Sequence, residues 1–317
     1  MRYLILTAVV LAAGFGLKST YLLQLLTFIG INTLLALGLN MLMGYAGQIS
    51  LGHAAFYGLG AYTSGILTSH FNCSPWLALI AAIVLTAVVA FLIALPLLSL
   101  SGFYLGMGTL GFGMIGYVVF RQWSTFTGGD SGLVGIPGLE AGPLSFFSPR
   151  NYFFLVWVVA GLGIFLCERL INSRIGRALR AVHDSERAAS SMGIDTGRLK
   201  VHIFVLSAVL AAVAGFLYAH FVSFISPGSF DFLVSVRMVT MVVIGGMASV
   251  WGSLLGAAVM TILPESLSIF TEYEMIVYGL ILIVIMIVLP QGLLRGILDI
   301  YERAKFKAGS ISARSQG

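Results

Sequence analysis

Charged residues are scarce in this sequence. They account for 9% of its 317 residues, whereas apolar residues account for 59%, and the mean hydropathy is +1.01. A soluble domain of this length would carry about a quarter charged residues. The low charge therefore excludes a soluble globular protein. Long apolar runs predict an all-α polytopic integral membrane protein, since a β-barrel would have short alternating strands instead.

Other absences narrow the function. Cysteine occurs only as Cys73 and Cys167, far apart, which excludes a disulfide scaffold and argues against a metal site. The net charge is +5, yet no basic patch with interleaved aromatic residues suggests a nucleic-acid partner. No G-x-x-x-x-G-K-[ST] motif is present, so no cofactor and no ATP are expected in this chain. A membrane-embedded enzyme would need His, Asp or Glu clustered near one membrane face, and the five histidines of this sequence are scattered.

Nine apolar runs make up most of the sequence, and a bilayer core about 30 Å thick requires ~20 helical residues. The positions of lysine and arginine predict the orientation, because cytoplasmic loops are enriched in them. Of the 17, seven lie between Arg169 and Lys200 and five between Arg295 and Arg314. Both clusters are therefore expected in the cytoplasm. The runs are 4–17, 22–43, 51–67, 76–98, 103–120, 152–167, 201–224, 232–262 and 275–289.

The run 232–262 is too long for one ordinary crossing. Its 31 residues would form a helix of about 46 Å. Gly245 and Gly246, with Gly252 beyond them, weaken helix propagation in its middle. We therefore predict two short spans or half-helices, about ten transmembrane helices in total (eight to ten), and both termini in the cytoplasm. One steeply tilted helix and nine crossings is the alternative.

Two polar connections lie between the spans. Residues 121–151 are rich in glycine and proline and are predicted to form a periplasmic loop, long enough to contact an external partner. Residues 168–200 are predicted to be cytoplasmic, as is the tail 299–317. Within 168–200, Asp184 or Ser185 can cap a helix over 185–192 that Gly193 ends, and Asp195 or Thr196 can cap the next helix. Such a short helix needs packing, against either this chain or a partner.

The stretch "GYAGQISLGHAAFYGLGAY", residues 44–62, interrupts the apolar sequence with five glycines and several polar side chains. Glycine permits non-helical backbone and close helix approach. Broken backbone at membrane depth is tolerated only beside protein or water. Each polar side chain can alternatively form a local hydrogen bond. We predict translocation-pathway candidates in both halves: Asn40, Gly44, Tyr45, Gly47, Gln48, Ser50, His53, Gly245 and Gly246.

Arg237 and Glu265 are the ionisable residues nearest the broken run. Either can lie on the pathway, and each can equally extend to a membrane interface. His53 can likewise serve only to anchor packing.

Several motifs resemble known transport proteins. "ERAASSMGIDTGRLKVHIF" is similar to the Glu-Ala-Ala loop of bacterial ATP-binding cassette (ABC) importer permeases, through Glu186, Ala188, Ala189 and Gly193, with Arg187 as a departure from the pattern. "GYAGQISLGHAAFYGLGAY", "TGGDSGLVGIPG" and "IGGMASVWGSLLGA" together resemble the branched-chain amino acid permease family, in its LivM-type half. The similarity extends from about residue 40 to residue 292.

The resemblance implies that residues 1–317 form one multi-pass permease domain in the lipid of a bacterial inner membrane. Its implied partners are a second, LivH-like permease, two cytoplasmic ATPases that bind ATP-Mg, and a periplasmic or lipid-anchored substrate-binding protein. Implied substrates are leucine, isoleucine and valine, or related solutes such as urea, amides and aromatic acids. The implied ATPase-coupling residues are Ser185, Glu186, Arg187, Ala188, Ala189 and Gly193.

A stand-alone ion-coupled secondary transporter is the main rival. It would require well-placed carboxylates or cation ligands in the membrane. The apolar runs contain almost no acidic residues. The sequence therefore favours a permease whose motion is driven by separate ATPases.

Overall fold

The computed structural model describes residues 2–141 and 144–267, together with residues 279, 280, 283, 287 and 292. Over these ranges the chain is almost entirely helical, which confirms the all-α prediction. The tail 299–317 and most of the run 275–289 lie outside the described residues. Twelve α-helices occur in the described part: α1 Arg2–Gly16, α2 Thr20–Asn40, α3 His53–Ser69, α4 Pro75–Leu97, α5 Phe103–Gln122, α6 Ser124–Thr127, α7 Pro149–Ile171, α8 Arg174–Asp184, α9 Glu186–Ser191, α10 Thr196–Val222, α11 Phe232–Gly245 and α12 Val250–Leu267.

Seven helical segments of the described chain are long and apolar enough to cross a membrane, which makes this a multi-pass membrane protein. One is α2 extended by the π-helical turn Met41–Tyr45, and another is α11 extended back to Pro227. The apolar helix α1 is shorter, and α3 has 17 residues. These seven belong to the described part alone, whereas the prediction of about ten (eight to ten) is for the whole chain. The seven segments are Thr20–Tyr45, Pro75–Leu97, Phe103–Gln122, Pro149–Ile171, Thr196–Val222, Pro227–Gly245 and Val250–Leu267.

Helices α2, α3 and α10 form the centre of the bundle, whereas α4 and α5 lie at its surface. Helix α4 explains how a surface span is built. Its buried residues recur every four positions and are small, so α3 and α10 can approach closely: Ala78, Ala82, Thr86, Ala90 and Ala94. Large aliphatic side chains cover its opposite face, where a bilayer would solvate them: Leu77, Ile80, Val84, Val88 and Leu92.

One end of the bundle, the loop end, carries residues 123–148. There the short strand β1 (Leu133–Val134) pairs antiparallel with β4 (Phe224–Ile225), which follows α10. A second short ribbon pairs β2 (Glu140–Ala141) with β3 (Leu144–Ser145). The Trp76 indole donates to the Glu140 carbonyl at 2.8 Å. The loop end therefore joins the start of α4 to the end of α10.

The opposite end, the basic end, carries α8 and α9. The Tyr3 hydroxyl donates to the Glu168 carboxylate there, which places the start of α1 beside the end of α7. Ser173 caps α8 by accepting from the Ile175 N–H at 3.1 Å. The two ends thus separate the glycine-rich loop from the arginine-rich segment, as the sequence predicts for opposite faces of a membrane.

Candidate functional site

The first break in the helical structure lies between α2 and α3, over residues 46–52. After the π-helical turn the chain runs without helical structure, and Gly47 adopts φ +66°. Burial then alternates: Gly47 and Ile49 are exposed, whereas Gln48 and Ser50 are buried. This alternation is typical of extended backbone with one inner and one outer face.

The break ends deep inside the bundle. The Leu51 N–H donates to the Thr109 hydroxyl of α5 at 3.0 Å, and His53 contacts Ser207 of α10. Ser207 lies 11 residues, or about 16 Å, from the start of α10 and 15 residues, about 22 Å, from its end. Helix α3 therefore begins near the middle of the bundle and runs to the loop end.

His53 is held by a chain of hydrogen bonds. The Ser207 hydroxyl donates to the Gly38 carbonyl at 2.6 Å, so its oxygen accepts from His53 Nε2 at 2.5 Å. His53 Nδ1 then accepts from the Ser50 hydroxyl at 2.8 Å. Both ring nitrogens are satisfied in the neutral Nε2–H tautomer. With 1% of its surface exposed, His53 anchors α3 to α2 and α10.

Glycines around the first break allow close backbone approach. A Cβ at Gly52 would lie 2.1 Å from the Thr109 carbonyl oxygen, and one at Gly60 would lie 2.2 Å from that of Ala212. No real Cβ tolerates such distances. The glycines of the 44–62 stretch thus let α3 pack directly on α5 and α10, one of the two roles expected from the sequence.

The second break divides the run 232–262. Helix α11 ends at Gly245, Gly246 adopts φ +111°, and α12 begins at Val250. Asn40 of α2 binds this break. Its Nδ2 donates to the Ser249 carbonyl and the Ser253 hydroxyl, both at 2.8 Å, and its Oδ1 accepts from the Ala248 N–H at 2.9 Å.

The two breaks meet at the basic end of α2. A Cβ at Gly44 would lie 2.3 Å from the Ala248 nitrogen, so only glycine lets these segments touch. A Cβ at Gly245 would lie 2.0 Å from the Gly252 carbonyl oxygen, and one at Gly256 would lie 1.9 Å from that of Met241. The Gly252-x-x-x-Gly256 pattern therefore serves close packing of α11 on α12.

The predicted pathway candidates come together around these breaks, and most are enclosed. Asn40, Ser50 and His53 are each 1% exposed and hydrogen-bonded; the Ser50–His53 bond is local, whereas Asn40 and His53 also bond residues of other helices. Gln48 is also buried, but its Oε1 has no hydrogen-bond partner among the residues that the structure describes. A role for these residues in the pathway stays a prediction. Gly44, Tyr45, Gly245 and Gly246 are buried as well, and Gly47 is the exposed one of the nine.

The predicted coupling segment forms the helix α9 at the basic end. Ser185 caps it by accepting from the Ala188 N–H at 3.3 Å, and Gly193 ends it at φ +82°. Ala189 is 3% exposed and anchors the helix, whereas Met192 is 84% exposed beyond it. Glu186, Arg187 and Ala188 are also exposed. The short helix thus presents almost its whole surface outward.

The next helix is attached firmly to this segment. Asp195 caps α10 by accepting from the Arg198 N–H at 3.1 Å, one of the two caps that the sequence allows. Glu186 pairs with Lys200 of α10 at 2.5 Å. Helix α9 is therefore connected to α10 by an ion pair as well as by the chain.

Sequence reasoning missed α8, which precedes α9. Its apolar residues Ile175, Leu179 and Val182 recur at helical spacing, and Leu179 and Val182 are buried. Arginines at 174, 177 and 180 intervene. This spacing of apolar residues, with arginines between them, predicts an amphipathic helix of the kind that lies at a membrane surface.

Comparison with known proteins places this architecture in a family. The family model described as branched-chain amino acid transport system / permease component matches residues 21–286. The permease protein LivM of the high-affinity branched-chain amino acid transport system of Salmonella typhimurium is 35% identical over 284 residues, which cover 82% of this chain and 67% of LivM. LivM of Escherichia coli gives the same identity and coverage.

LivH, a permease protein of the same system in Escherichia coli, is 29% identical over 290 residues, which cover 82% of this chain and 90% of LivH. No solved structure gives a significant match. The family model covers most of the described bundle, including both breaks and α9. The chain therefore belongs to the permease component family of branched-chain amino acid transport systems.

Proposed function

We propose that this chain is the transmembrane permease subunit of an ABC importer for leucine, isoleucine, valine or related small solutes. It contributes half of a translocation pore that works by alternating access. The observation that supports the proposal most strongly is helix α9, in a chain of this family. This helix is exposed, begins at the Ser185 cap and ends at Gly193, and Glu186 pairs with Lys200 of the central helix α10. The chain performs no chemistry itself, because ATP is hydrolysed by separate subunits.

Motion at α9 can reach the bundle through α10. The Glu186–Lys200 ion pair and the Asp195 cap tie the two helices together at the basic end. Helix α10 then packs against α2, α3 and α4. A displacement of α9 by closing ATPases would therefore tilt a central span rather than a peripheral one.

Ten crossings with both termini in the cytoplasm fit this arrangement. The seven long segments are joined by α1 and by α3, which completes its crossing with the non-helical residues 47–52. The tenth is the run 275–289, which the sequence predicts as a span and which lies mostly outside the described residues. Gly292 adjoins Gly246, where its Cβ would lie 2.3 Å from the Gly246 Cα, so the chain returns to the basic end after that run.

The proposed assembly contains a second, LivH-like permease, two cytoplasmic ATPases at the basic end and a substrate-binding protein at the loop end. It lies in a bacterial inner membrane. Cysteines introduced at Asp184 and Ser310 should both be labelled only from the cytoplasm. Labelling from opposite faces would contradict the ten-crossing topology.

Charge reversal at α9 tests the coupling. In proteoliposomes with the complete importer, Glu186→Lys removes the ion pair to Lys200 and places a new cation on the docking surface. We expect the ratio of solute imported to ATP hydrolysed to fall at least tenfold while the chain still inserts. Deletion of Ser185–Gly193 should act in the same direction.

Glu140→Lys is the matched control, since it reverses an exposed carboxylate at the loop end. It should leave that ratio unchanged. Normal ATP-driven uptake by Glu186→Lys would refute the coupling role of α9. Accumulation by the isolated chain, driven by an ion gradient, would instead favour the secondary-transporter alternative.

A further inference from the structure

An arginine lies on an exposed face at the middle of the bundle. Helix α11 begins beside α3, because the Ala54 N–H donates to the Ser235 hydroxyl at 3.0 Å. Arg237 follows two residues later, about 3 Å along the helix axis, and is exposed. Leu233, one turn earlier on the same face, is apolar and 67% exposed, and Phe232 beside it is 38% exposed.

Arg237 forms no salt bridge with any carboxylate among the described residues. The nearest acid along its helix, Asp231, is engaged as the N-cap of α11 and accepts from the Val234 N–H at 3.1 Å. Arg237 is therefore an exposed arginine near the middle of the bundle with no carboxylate partner in the part of the chain that the structure describes.

Lipid is a poor environment for this group. A charged side chain at the centre of a bilayer is strongly disfavoured, most of all on an isolated helix. Arginines at this depth face protein or a water-filled cavity. The α11 face around Arg237 is therefore covered by something other than acyl chains.

The first break gives a second reason to expect protein or water, and not lipid, on this side of the bundle. Residues 47–52 are non-helical and run from Gly47, which lies against His183 of α8 at the basic end, to Leu51, which bonds to Thr109 of α5 inside the bundle. Irregular backbone in the hydrocarbon region occurs only against protein or water. A narrow notch lined by Leu51, Met114 and Asp231 lies between the end of this segment and the start of α11.

We propose that this surface lines the solute pathway and that the guanidinium of Arg237 binds the carboxylate of the amino acid as it passes. The surface, here called the Arg237 face, comprises Ile49, Leu51, Met114, Phe232, Leu233 and Arg237. A single charge-assisted contact orients the solute, and the apolar neighbours suit a branched aliphatic side chain. The inference rests on the proposed function, since it specifies what that pathway recognises.

Charge restoration at position 237 tests the proposal in the complete importer. Arg237→Cys is made in a chain whose own thiols are removed by Cys73→Ser and Cys167→Ala. Leucine uptake into proteoliposomes should fall at least tenfold, with receptor-stimulated ATP hydrolysis retained. Modification with cationic aminoethyl methanethiosulfonate should recover at least half of the uptake, whereas the anionic sulfonatoethyl and neutral methyl reagents should not.

The control is Val84→Cys in the same background. Val84 is 55% exposed on α4, the most apolar span, and should not react with the charged reagents. An unreactive cysteine at 237 would overturn the proposal, and so would equal recovery with the neutral reagent. Loss of the assembled complex in Arg237→Lys would assign the residue to subunit contact instead.

A different result is expected if the chain is not a subunit of an ATP-driven amino acid importer. The thiol-free parent importer would then show no ATP-dependent leucine uptake at all. A parent that imports only uncharged solutes, such as urea, would preserve the importer but remove the carboxylate role of Arg237.

Discussion

The two breaks in the helices are satisfied in different ways. At residues 246–249 a single side chain from another helix, Asn40, binds three groups of the break. At residues 46–52 the break supplies its own polar side chains, and one of them, Gln48, has an oxygen that no described residue bonds. Asn40 therefore holds the second break in one conformation, and we call this break the fixed joint. The first break has one exposed side and one polar group without its full set of hydrogen bonds.

This difference indicates which break is suited to contact solute. A buried polar group without a partner costs free energy that a purely structural joint would avoid. The first break also leaves Ile49 exposed on its outer face. Substitutions in the two breaks should therefore affect stability and transport unequally.

The largest loss of stability is expected from Asn40→Leu. It leaves the Ala248 N–H, the Ser249 carbonyl and the Ser253 hydroxyl without this partner, and each such group costs about 1–3 kcal/mol. We expect destabilisation by about 3 kcal/mol or more, measured as the thermal midpoint of the purified importer in detergent. Asn32→Leu, which removes one bond to Thr261, is the control. Equal losses of stability in the two variants would contradict the claim that Asn40 holds the second break.

Gly245→Ala should have the next largest effect. Its Cβ would lie 2.0 Å from the Gly252 carbonyl oxygen, so α11 and α12 must separate, at a cost of about 1–3 kcal/mol. The same thermal measurement applies. Gly161→Ala in α7 meets no atom within 4 Å and should not destabilise the importer. A stable Gly245→Ala variant would show that the two helices need not touch.

His53→Ala should cost about 2 kcal/mol, because the substitution removes the bonds to Ser50 and Ser207 and leaves a small cavity. His53→Gln can retain one of these bonds and should recover part of the stability. Because this network joins α3 to α10 and leaves no ring nitrogen free, uptake per folded importer should fall less than stability. A selective loss of uptake in a fully stable His53→Ala importer would assign His53 to the pathway.

The smallest change in stability is expected from Gln48→Met. The oxygen that it removes has no partner within the described part of the chain, so the free energy of unfolding should change by less than about 1 kcal/mol. If the first break lies beside the pathway, leucine uptake by the importer should nevertheless fall. A loss of stability comparable with that of Asn40→Leu would show that both breaks are joints of the same kind.

The sequence was sufficient for the class and for the local signals. Ser185, Gly193 and Asp195 occupy the cap and end positions that their chemistry predicts. These features depend on the adjacent few residues, which the sequence displays directly. The arginine distribution likewise separates the two ends of the bundle.

Contacts between distant residues could not be predicted in the same way. Nothing local to Asn40 indicates that its side chain binds residues 209 and 213 positions later. The depth at which α3 begins depends on Thr109 and Ser207, which belong to other helices. The exposure of Arg237 is similarly a property of the assembled bundle. Polar residues in apolar sequence therefore indicated where the breaks lie but not which of them face a pathway.

Reconstitution of this chain with its proposed partners tests the central claim most directly. Leucine uptake into proteoliposomes is measured with the complete importer, with ATP omitted, and with the isolated chain under an imposed ion gradient. The account predicts concentrative uptake only in the complete importer with ATP. Concentrative uptake by the isolated chain under the ion gradient would contradict it.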